Sequence, residues 1–290
     1  MMELRQAQRK QAKIKLALQG VSGSGKTMSA LLLASGMTDW SKIAVIDTEN
    51  HSADLYAHLG DYSVLHLGSP FTPERYIKAI ETCEQAKMEV VIIDSVSHEW
   101  EGQGGILNIH GNMDGNSFTN WNKITPRHNA FVQKILQSSC HIIVTIRAKQ
   151  DYVLSEKNGK MVPEKVGLKG ITRDGLDYEC TIVFNIDIKH NAVASKDRTG
   201  LFADKPEGVI SSGYGKRILK WCNSGITISE IKAKLTCAVT VEELREILRT
   251  YPEYEKELKP LAIARKEQLS TNIINLNPIS GNGNGTSKSK

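Results

Sequence analysis

Eight consecutive residues near the N-terminus have the types and spacing that bind phosphate. They read Gly20-Val-Ser-Gly-Ser-Gly-Lys26-Thr27 and follow an apolar run, Ile14 to Gln19. Glycines let successive backbone N–H groups turn toward phosphate oxygens, and a helix that begins at the end of the loop adds a favourable dipole. At these positions we expect Lys26 to reach the β- and γ-phosphates and Thr27 to ligate Mg²⁺. The predicted nucleotide-binding residues are Gly20, Val21, Ser22, Gly23, Ser24, Gly25, Lys26, Thr27 and Met28.

Acidic residues follow two later apolar runs and are candidates for metal binding and catalysis. Asp94 ends Val90-Val-Ile-Ile-Asp94, where a carboxylate can hold Mg²⁺ directly or through water. Glu49 follows the run that starts at Ile43 and is our first candidate for the group that orients or deprotonates the attacking water. Asp47, two residues earlier, is a weaker candidate. An ordinary polar strand end remains the alternative interpretation for each of them.

A further apolar run, His141 to Ile146, contains Thr145, whose hydroxyl could sense the γ-phosphate. The alternative is that a threonine occurs here only because its β-branched side chain favours a strand. Beyond it, residues 147–173 hold seven Lys or Arg against three acids, together with glycines and one tyrosine. A flexible basic loop of this kind suits the phosphate backbone of single strands, although a solvated surface loop has the same composition. The glycine-rich stretch after Trp100 is a second candidate loop.

Short apolar runs alternate with helical patterns over most of the chain. This alternation predicts an α/β fold with a mainly parallel central sheet flanked by helices, whose ligands bind beyond the carboxyl ends of the strands. Thr125-Pro126 predicts the start of a helix that runs to about Gln137. A polar, mobile loop is expected from Arg147 through Asp174. Two runs, 178–188 and 191–195, then predict an antiparallel extension of the sheet.

The predicted organisation has four parts. Residues 1–13 form a basic N-terminal helix, 14–222 the nucleotide-binding core, 223–270 a small C-terminal helical extension, and 271–290 a disordered tail rich in Gly, Asn, Ser and Lys. The five scattered cysteines include no C-x-x-C pair, which argues against a disulfide framework and a zinc site. The sequence contains no apolar run near the roughly 18 residues of a membrane span and no secretory signal, so we expect a cytoplasmic protein. The net charge of +5 permits nucleic-acid binding without requiring it.

Together these features resemble the RecA family of recombinase ATPases, and more narrowly the core-only RecA-like ATPases of bacteriophages associated with single-strand annealing. The similarity covers about residues 14–222 and rests on the glycine-rich loop, Ile46-Asp-Thr-Glu49, Ile92-Ile-Asp94-Ser-Val, Thr145-Ile-Arg147 and Arg173-Asp-Gly-Leu-Asp-Tyr178. The resemblance implies ATP as the nucleotide and Glu49 as the catalytic base. It also implies a basic pair, Lys196 and Arg198, that completes the ATP site of a neighbouring subunit. The family has a glutamine sensor where this sequence has Thr145.

The resemblance further implies a homo-oligomer that binds single-stranded DNA through loops 99–117 and 147–175 in recombination, annealing or replication. A single-strand DNA-binding or replication protein is a possible partner. The alternative function is a nucleotide-dependent switch or loader that acts through protein partners, with the C-terminal helices as its docking surface. A small-molecule P-loop kinase would need an arginine-bearing lid and an acceptor pocket, neither of which the sequence reveals.

Overall fold

The computed structural model describes residues 12–157 and 160–275, which fall into two compact units divided between Cys222 and Asn223. The strands of the first unit are β1 (Lys15–Gly20), β2 (Ile43–Asp47), β3 (Ser63–His66), β4 (Val90–Asp94), β5 (His141–Lys157), β6 (Lys160–Gly170), β7 (Ile182–Ile186), β8 (Asn191–Asp197) and β9 (Gly208–Val209). Its helices are α1 (Lys26–Ser35), α2 (Pro73–Gln85), α3 (Ser97–Glu101), α4 (Ile106–Gly111), α5 (Ser117–Gln137), α6 (Leu176–Glu179) and α7 (Ser212–Asn223).

Within the described residues these strands form one nine-stranded sheet, ordered β3-β2-β4-β5-β1-β7-β8-β9, with β6 paired to β5. The strands from β3 to β7 in this order pair in parallel. Strands β6, β8 and β9 each pair antiparallel with their neighbour. The mainly parallel sheet predicted from the sequence is therefore confirmed, as is the antiparallel extension that follows β7.

Helices cover both faces of the sheet, because successive residues of each strand alternate between two apolar layers. Leu16 and Leu18 of β1 join the layer that contains α1 and α7, whereas Ala17 joins the layer that contains α2 and α5. Residues of the central strands are almost completely buried, since both of their faces are packed. Because helices cover both faces, a ligand can reach the sheet only at the ends of its strands.

The helix that was predicted to begin at Thr125-Pro126 begins earlier, at Ser117. The Asn116 side chain caps it by accepting from the Phe118 and Thr119 N–H groups, and Pro126 lies inside the helix. A proline in a helix interior costs about 3 kcal/mol, which is why the local rule favours a later start. Burial of one face of the helix outweighs that cost. The buried residues lie on both sides of the proline and are Asn120, Ile124, His128, Phe131 and Ile135. The predicted loop 99–117 is accordingly largely helical, because α4 and the end of α3 lie within it.

The stretch after Arg147 was predicted to be a mobile loop, and this prediction is wrong for the described residues. Strands β5 and β6 pair from Ala148–Gly170 to Lys157–Lys160 as an antiparallel hairpin. The sequence signal for it is Asn158-Gly159, since this dipeptide between two alternating segments is a strong hairpin signature. Residues 150–157 pair with β6 alone, so the hairpin extends past the parallel sheet.

The second unit contains helices α8 (Ile228–Cys237), α9 (Val241–Thr250) and α10 (Glu255–Asn275) around a small apolar cluster that includes Ile231, Leu244 and Leu258. Helix α10 runs to Asn275, so the tail predicted from residue 271 overlaps it, and residues 276–290 lie outside the described part of the chain. The predicted N-terminal helix also lies outside it, apart from residues 12 and 13. Among the described helices, none combines the length and the apolar character needed to cross a bilayer.

Candidate nucleotide-binding site

The carboxyl ends of the parallel strands meet at one edge of the sheet and place the predicted site residues side by side. Gly20, at the end of β1, lies opposite Arg147 on one side and Ile186 on the other. Asp47 lies opposite Asp94. A cavity of about 940 Å³ opens at this edge, within the range of roughly 300–1,000 Å³ that is typical of ligand sites. Its lining includes the polar residues Lys26, Thr27, Glu49, Asp94 and Arg147 and the apolar residues Met28, Leu32, Tyr56, Val209 and Ile210.

The glycine-rich loop has a backbone that only glycine adopts without strain. Gly23 and Gly25 have φ angles of 79° and 85°, in the left-handed region. A Cβ atom on Gly20 would lie 2.4 Å from Ser24 Oγ and 2.7 Å from the Ile186 carbonyl oxygen, so the close approach of β1 and β7 excludes any side chain there. The Ser24 hydroxyl is buried and has no hydrogen-bond partner among the described residues. The loop thus fits the phosphate cradle predicted from its sequence.

Lys26 is the cation of this cradle. Its Nζ atom donates to the Gly20 and Val21 carbonyl oxygens, at 3.0 Å each. Burial lowers the pKa of the Lys26 ammonium, while the charges of Asp94 and Glu49 oppose that shift. A triphosphate in the cavity would supply a stronger acceptor than these carbonyls, because its oxygens carry negative charge and attract the ammonium.

Thr27 and Asp94 form an oxygen pair of the kind that Mg²⁺ prefers. Thr27 Oγ1 donates to Asp94 Oδ2 at 2.6 Å, and Asp94 is only 2% exposed. Burial raises the pKa of the Asp94 carboxyl, while hydrogen bonds from Thr145 and Thr27 oppose that shift. Mg²⁺ is commonly held by one or two protein oxygens together with substrate phosphates, so the two side chains fit this ion. When bound there, Mg²⁺ would neutralise negative charge on the β- and γ-phosphates.

Glu49 lines the cavity and is held by three hydrogen bonds. Arg147 donates to both carboxylate oxygens, through Nε to Oε1 at 2.8 Å and through a second, shorter contact to Oε2. Ser95 Oγ also donates to Oε1, at 3.0 Å. Burial alone would raise the pKa of Glu49, but the hydrogen bonds and charge of Arg147 outweigh it and lower that pKa. Glu49 is therefore an ionised carboxylate that faces the cavity, as a base requires.

Asp47 differs from Glu49 because its carboxylate binds backbone N–H groups. It is fully buried, and its two oxygens accept from the Glu49 N–H at 2.7 Å and the Ala53 N–H at 2.9 Å. These bonds fix the turn that follows β2 and present Glu49 to the cavity. Asp47 is thus a positioning residue, because both of its oxygens serve the backbone.

A sequence profile described as an AAA domain matches residues 12–219, which is well over half of the chain. The chain belongs to the AAA domain family. Membership indicates an ATP-binding P-loop domain with hydrolytic activity, in agreement with the loop and the acidic strand ends. A search of curated proteins found no significant match to the chain. The narrower resemblance to phage RecA-like proteins stays a prediction.

Other predicted residues of this AAA domain lie outside the cavity lining. Thr145 is fully buried and donates its hydroxyl to Asp94 Oδ1, so it supports the carboxylate from outside the cavity lining. Lys196 and Arg198 lie at the end of β8, which pairs with the beginning of β7 at the opposite edge of the sheet. Both side chains donate to the Tyr178 carbonyl oxygen. They are therefore remote from the ATP site of their own AAA domain.

Arg147 and His190 are polar side chains of the site that were not assigned to it from the sequence. Arg147 pairs with Glu49, and the sequence presents it as the first charge after an apolar run and as the end of Thr145-Ile-Arg147. His190 lies in the turn between β7 and β8, where its Nδ1 is 3.0 Å from the Ser24 carbonyl oxygen. No local pattern identifies His190, because the chain separation from Ser24 is 166 residues.

Proposed function

We propose that this AAA domain protein is a Mg²⁺-dependent ATPase that acts on single-stranded DNA in recombination, annealing or replication. The observation that carries the proposal is the bidentate pair between Glu49 and Arg147. Arg147 is the last residue of β5 to pair with β1 before the strand continues into the basic hairpin. The candidate catalytic base is thus bonded to the first residue of the candidate DNA-binding element.

The chemistry assigned to the site uses side chains that line the cavity. Lys26 stabilises charge on the phosphates, and Thr27 with Asp94 provides oxygen ligands for Mg²⁺. Glu49 accepts a proton from, or orients, the water that attacks the γ-phosphorus. Because Arg147 occupies both Glu49 oxygens, we expect slow hydrolysis until the pair loosens. Movement of the hairpin on DNA binding would loosen it.

A homo-oligomer completes the proposed function. Lys196 and Arg198 are cations at the sheet edge opposite to their own ATP cavity, where a neighbouring copy could present its nucleotide to them. A cation supplied in this way would stabilise charge on the transferring phosphoryl group. Assembly on a strand of DNA would then activate hydrolysis.

The test is the steady-state rate of ATP hydrolysis with and without an oligo-dT strand, measured over a range of salt concentrations. We expect stimulation at low salt that falls steeply as salt is added, because phosphate contacts release counterions. Lys26→Ala should lose activity under both conditions. Sedimentation in the same buffers should show larger species when ATP and DNA are both present. Hydrolysis with no response to DNA at low salt would contradict the DNA part of the proposal.

The second candidate is a nucleotide-dependent switch or loader that acts through a partner protein. It is favoured by apolar side chains on the helical unit, where Val239 is 68% exposed and Ile263 is 53% exposed. Under this function, hydrolysis is independent of DNA and responds to the partner. The same experiment separates the two functions.

A further inference from the structure

A second cavity, of about 480 Å³, lies beside the nucleotide cavity and shares two of its lining residues, Glu101 and Ile171. Its other lining residues include Trp100, Trp121 and Arg173 and, from the base of the hairpin, Lys149 and Lys169. We call it the tryptophan groove. The groove combines aromatic faces with cations next to a site for ATP.

The aromatic rings of the groove form a stacked series. Trp100 and Trp121 are stacked with centroids 6.0 Å apart and planes 24° apart, and His110 stacks on Trp121 at 4.2 Å. Both tryptophans remain partly exposed. Partly exposed, oriented aromatic rings are platforms on which nucleobases stack, each base contributing about 1–3 kcal/mol.

Among the described residues, the lysines and the arginine of the groove form no salt bridge, although Glu101 and Asp174 also line it. Lys149 and Lys169 are both exposed and lie directly opposite each other in the β5–β6 ladder. Like charges in directly opposed positions destabilise a strand pair, so an anion between them would relieve repulsion. Arg173 places its guanidinium 5.8 Å from the Trp121 ring centroid, and its buried NH1 donor has no hydrogen-bond partner among the described residues. An unpaired buried donor of this kind is costly, and a ligand with an acceptor atom would satisfy it.

We infer that the tryptophan groove binds one unstacked base of single-stranded DNA together with an adjacent phosphate. The base stacks on the tryptophan series, the phosphate lies at the opposed lysines, and Arg173 donates to an acceptor on the base or the phosphate. This inference rests on the proposed function, since it names the subsite through which that function engages DNA. Glu101 and Ile171 border both cavities, so a base in the groove contacts the wall of the ATP site.

The experiment compares binding of two fluorescently labelled strands of equal length, oligo-dT and an abasic oligomer with the same phosphates. Trp121→Ala should weaken oligo-dT binding by about 5- to 150-fold, which corresponds to one lost stacking contact. It should leave abasic binding within about twofold, because the phosphate contacts remain. Trp121→Phe should keep most of the oligo-dT affinity. Lys149→Gln should weaken both strands and reduce the salt slope by about one.

Two control variants and a second measurement distinguish a specific loss of DNA binding from a loss of folding. Trp40→Phe removes a tryptophan that packs against Tyr62 on the layer of α1, and Arg245→Gln removes one charge from the helical unit. Neither change should alter binding. Oligo-dT should quench intrinsic fluorescence in the wild-type protein and in Trp40→Phe, and much less in the double variant Trp100→Phe/Trp121→Phe, which lacks both tryptophans of the groove.

Each outcome decides one claim. Equal effects of Trp121→Ala on oligo-dT and abasic binding, or quenching that survives in the double variant Trp100→Phe/Trp121→Phe, would overturn the base subsite while DNA binding stands. A wild-type protein that binds neither strand at low salt would overturn the proposed function itself. Selective loss of oligo-dT binding in Trp121→Ala, with the controls unchanged, supports the subsite.

Discussion

Arg147 binds both carboxylate oxygens of Glu49, although the two residues are separated by 98 positions in the sequence. The pair has two effects on the candidate base. It keeps the carboxylate ionised, because the hydrogen bonds and charge of Arg147 outweigh the effect of burial on the pKa of Glu49. It also occupies the oxygens that would contact water. Arg147 therefore sets both the ionisation and the availability of the base.

Replacement of Arg147 by glutamine should change the pH dependence of hydrolysis. Without the guanidinium, burial is the dominant influence, so the pKa of Glu49 rises. The base form then requires a higher pH, and the acidic limb of the kcat/KM profile should move to higher pH. The measurement is phosphate release by Arg147→Gln and the wild-type protein between pH 5 and pH 9.

Arg127→Gln is the matched control, since it removes another bidentate arginine–glutamate pair, with Glu74, that does not line the ATP cavity. Its acidic limb should coincide with that of the wild-type protein. If the acidic limb of the Arg147→Gln profile lies at the wild-type pH, the pair does not control the ionisation of Glu49.

Thr145→Val should raise the concentration of Mg²⁺ needed for half-maximal hydrolysis. The change removes the hydroxyl that donates to Asp94 and helps to keep its buried carboxyl ionised. Loss of a hydrogen bond to a charged group costs about 1.5–3 kcal/mol, so we expect an increase on the order of tenfold or more. The measurement is the hydrolysis rate against free Mg²⁺, with Thr145→Ser as the variant that keeps the hydroxyl. Slower turnover at saturating Mg²⁺ with an unchanged midpoint would instead support a γ-phosphate sensor.

Gly215→Ala should destabilise the first unit. A Cβ on Gly215 would lie 2.0 Å from the Leu33 carbonyl oxygen, because α1 and α7 pack with their backbones in contact. Overpacking of this kind costs about 1–3 kcal/mol. In Gly213→Ala, two residues away, the nearest atom is Ser211 Oγ at 3.4 Å, so this variant should be neutral or slightly more stable. Urea unfolding measures both, and equal stability of the two variants would contradict the packing described.

The stability of the protein should decline as the pH falls below neutral, in part because of His141. Burial lowers the pKa of this histidine from 6.5 to about 3, and its Nδ1 accepts from the Ile14 N–H. Because the folded pKa lies below the unfolded value, the unfolded state binds more protons between them. The stabilisation is therefore complete above pH 6.5 and is lost as the pH falls toward 3. Between pH 7 and pH 5, His141→Gln should lose about 2 kcal/mol less free energy of unfolding than the wild-type protein. Equal losses would exclude His141 as a source of the dependence.

The parts of the fold that follow from local patterns could be predicted from the sequence. Strand β4 has the bounds expected for Val90–Asp94, because a short run of β-branched residues favours a buried strand. The cradle is equally local, since its glycines and Lys26 are consecutive in the chain. Helix α5 was mispredicted because a local proline rule was given more weight than a buried face that extends across the proline.

The rest of the site depends on contacts between distant segments. The hydrogen bonds of Glu49 with Arg147 and Ser95 join a residue of β5 to residues that follow β2 and β4, and only the strand order brings them together. The contacts of Lys196 and Arg198 with the Tyr178 carbonyl oxygen likewise depend on the pairing of β8 with β7. Contacts between residues so far apart in the sequence form only when the sheet is assembled, so local sequence patterns do not predict them.

The most direct test of the account is phosphate release by Glu49→Gln, with ATP binding measured in the same samples. Glutamine keeps the size of the side chain but cannot accept the proton of the attacking water. We expect ATP affinity within about threefold of the wild-type value and turnover reduced by about 10²- to 10⁴-fold, the usual contribution of a general base. Glu89→Gln, which replaces a carboxylate outside the cavity lining, should retain normal turnover. Turnover by Glu49→Gln at the wild-type rate would contradict the assignment of Glu49 as the base on which this account rests.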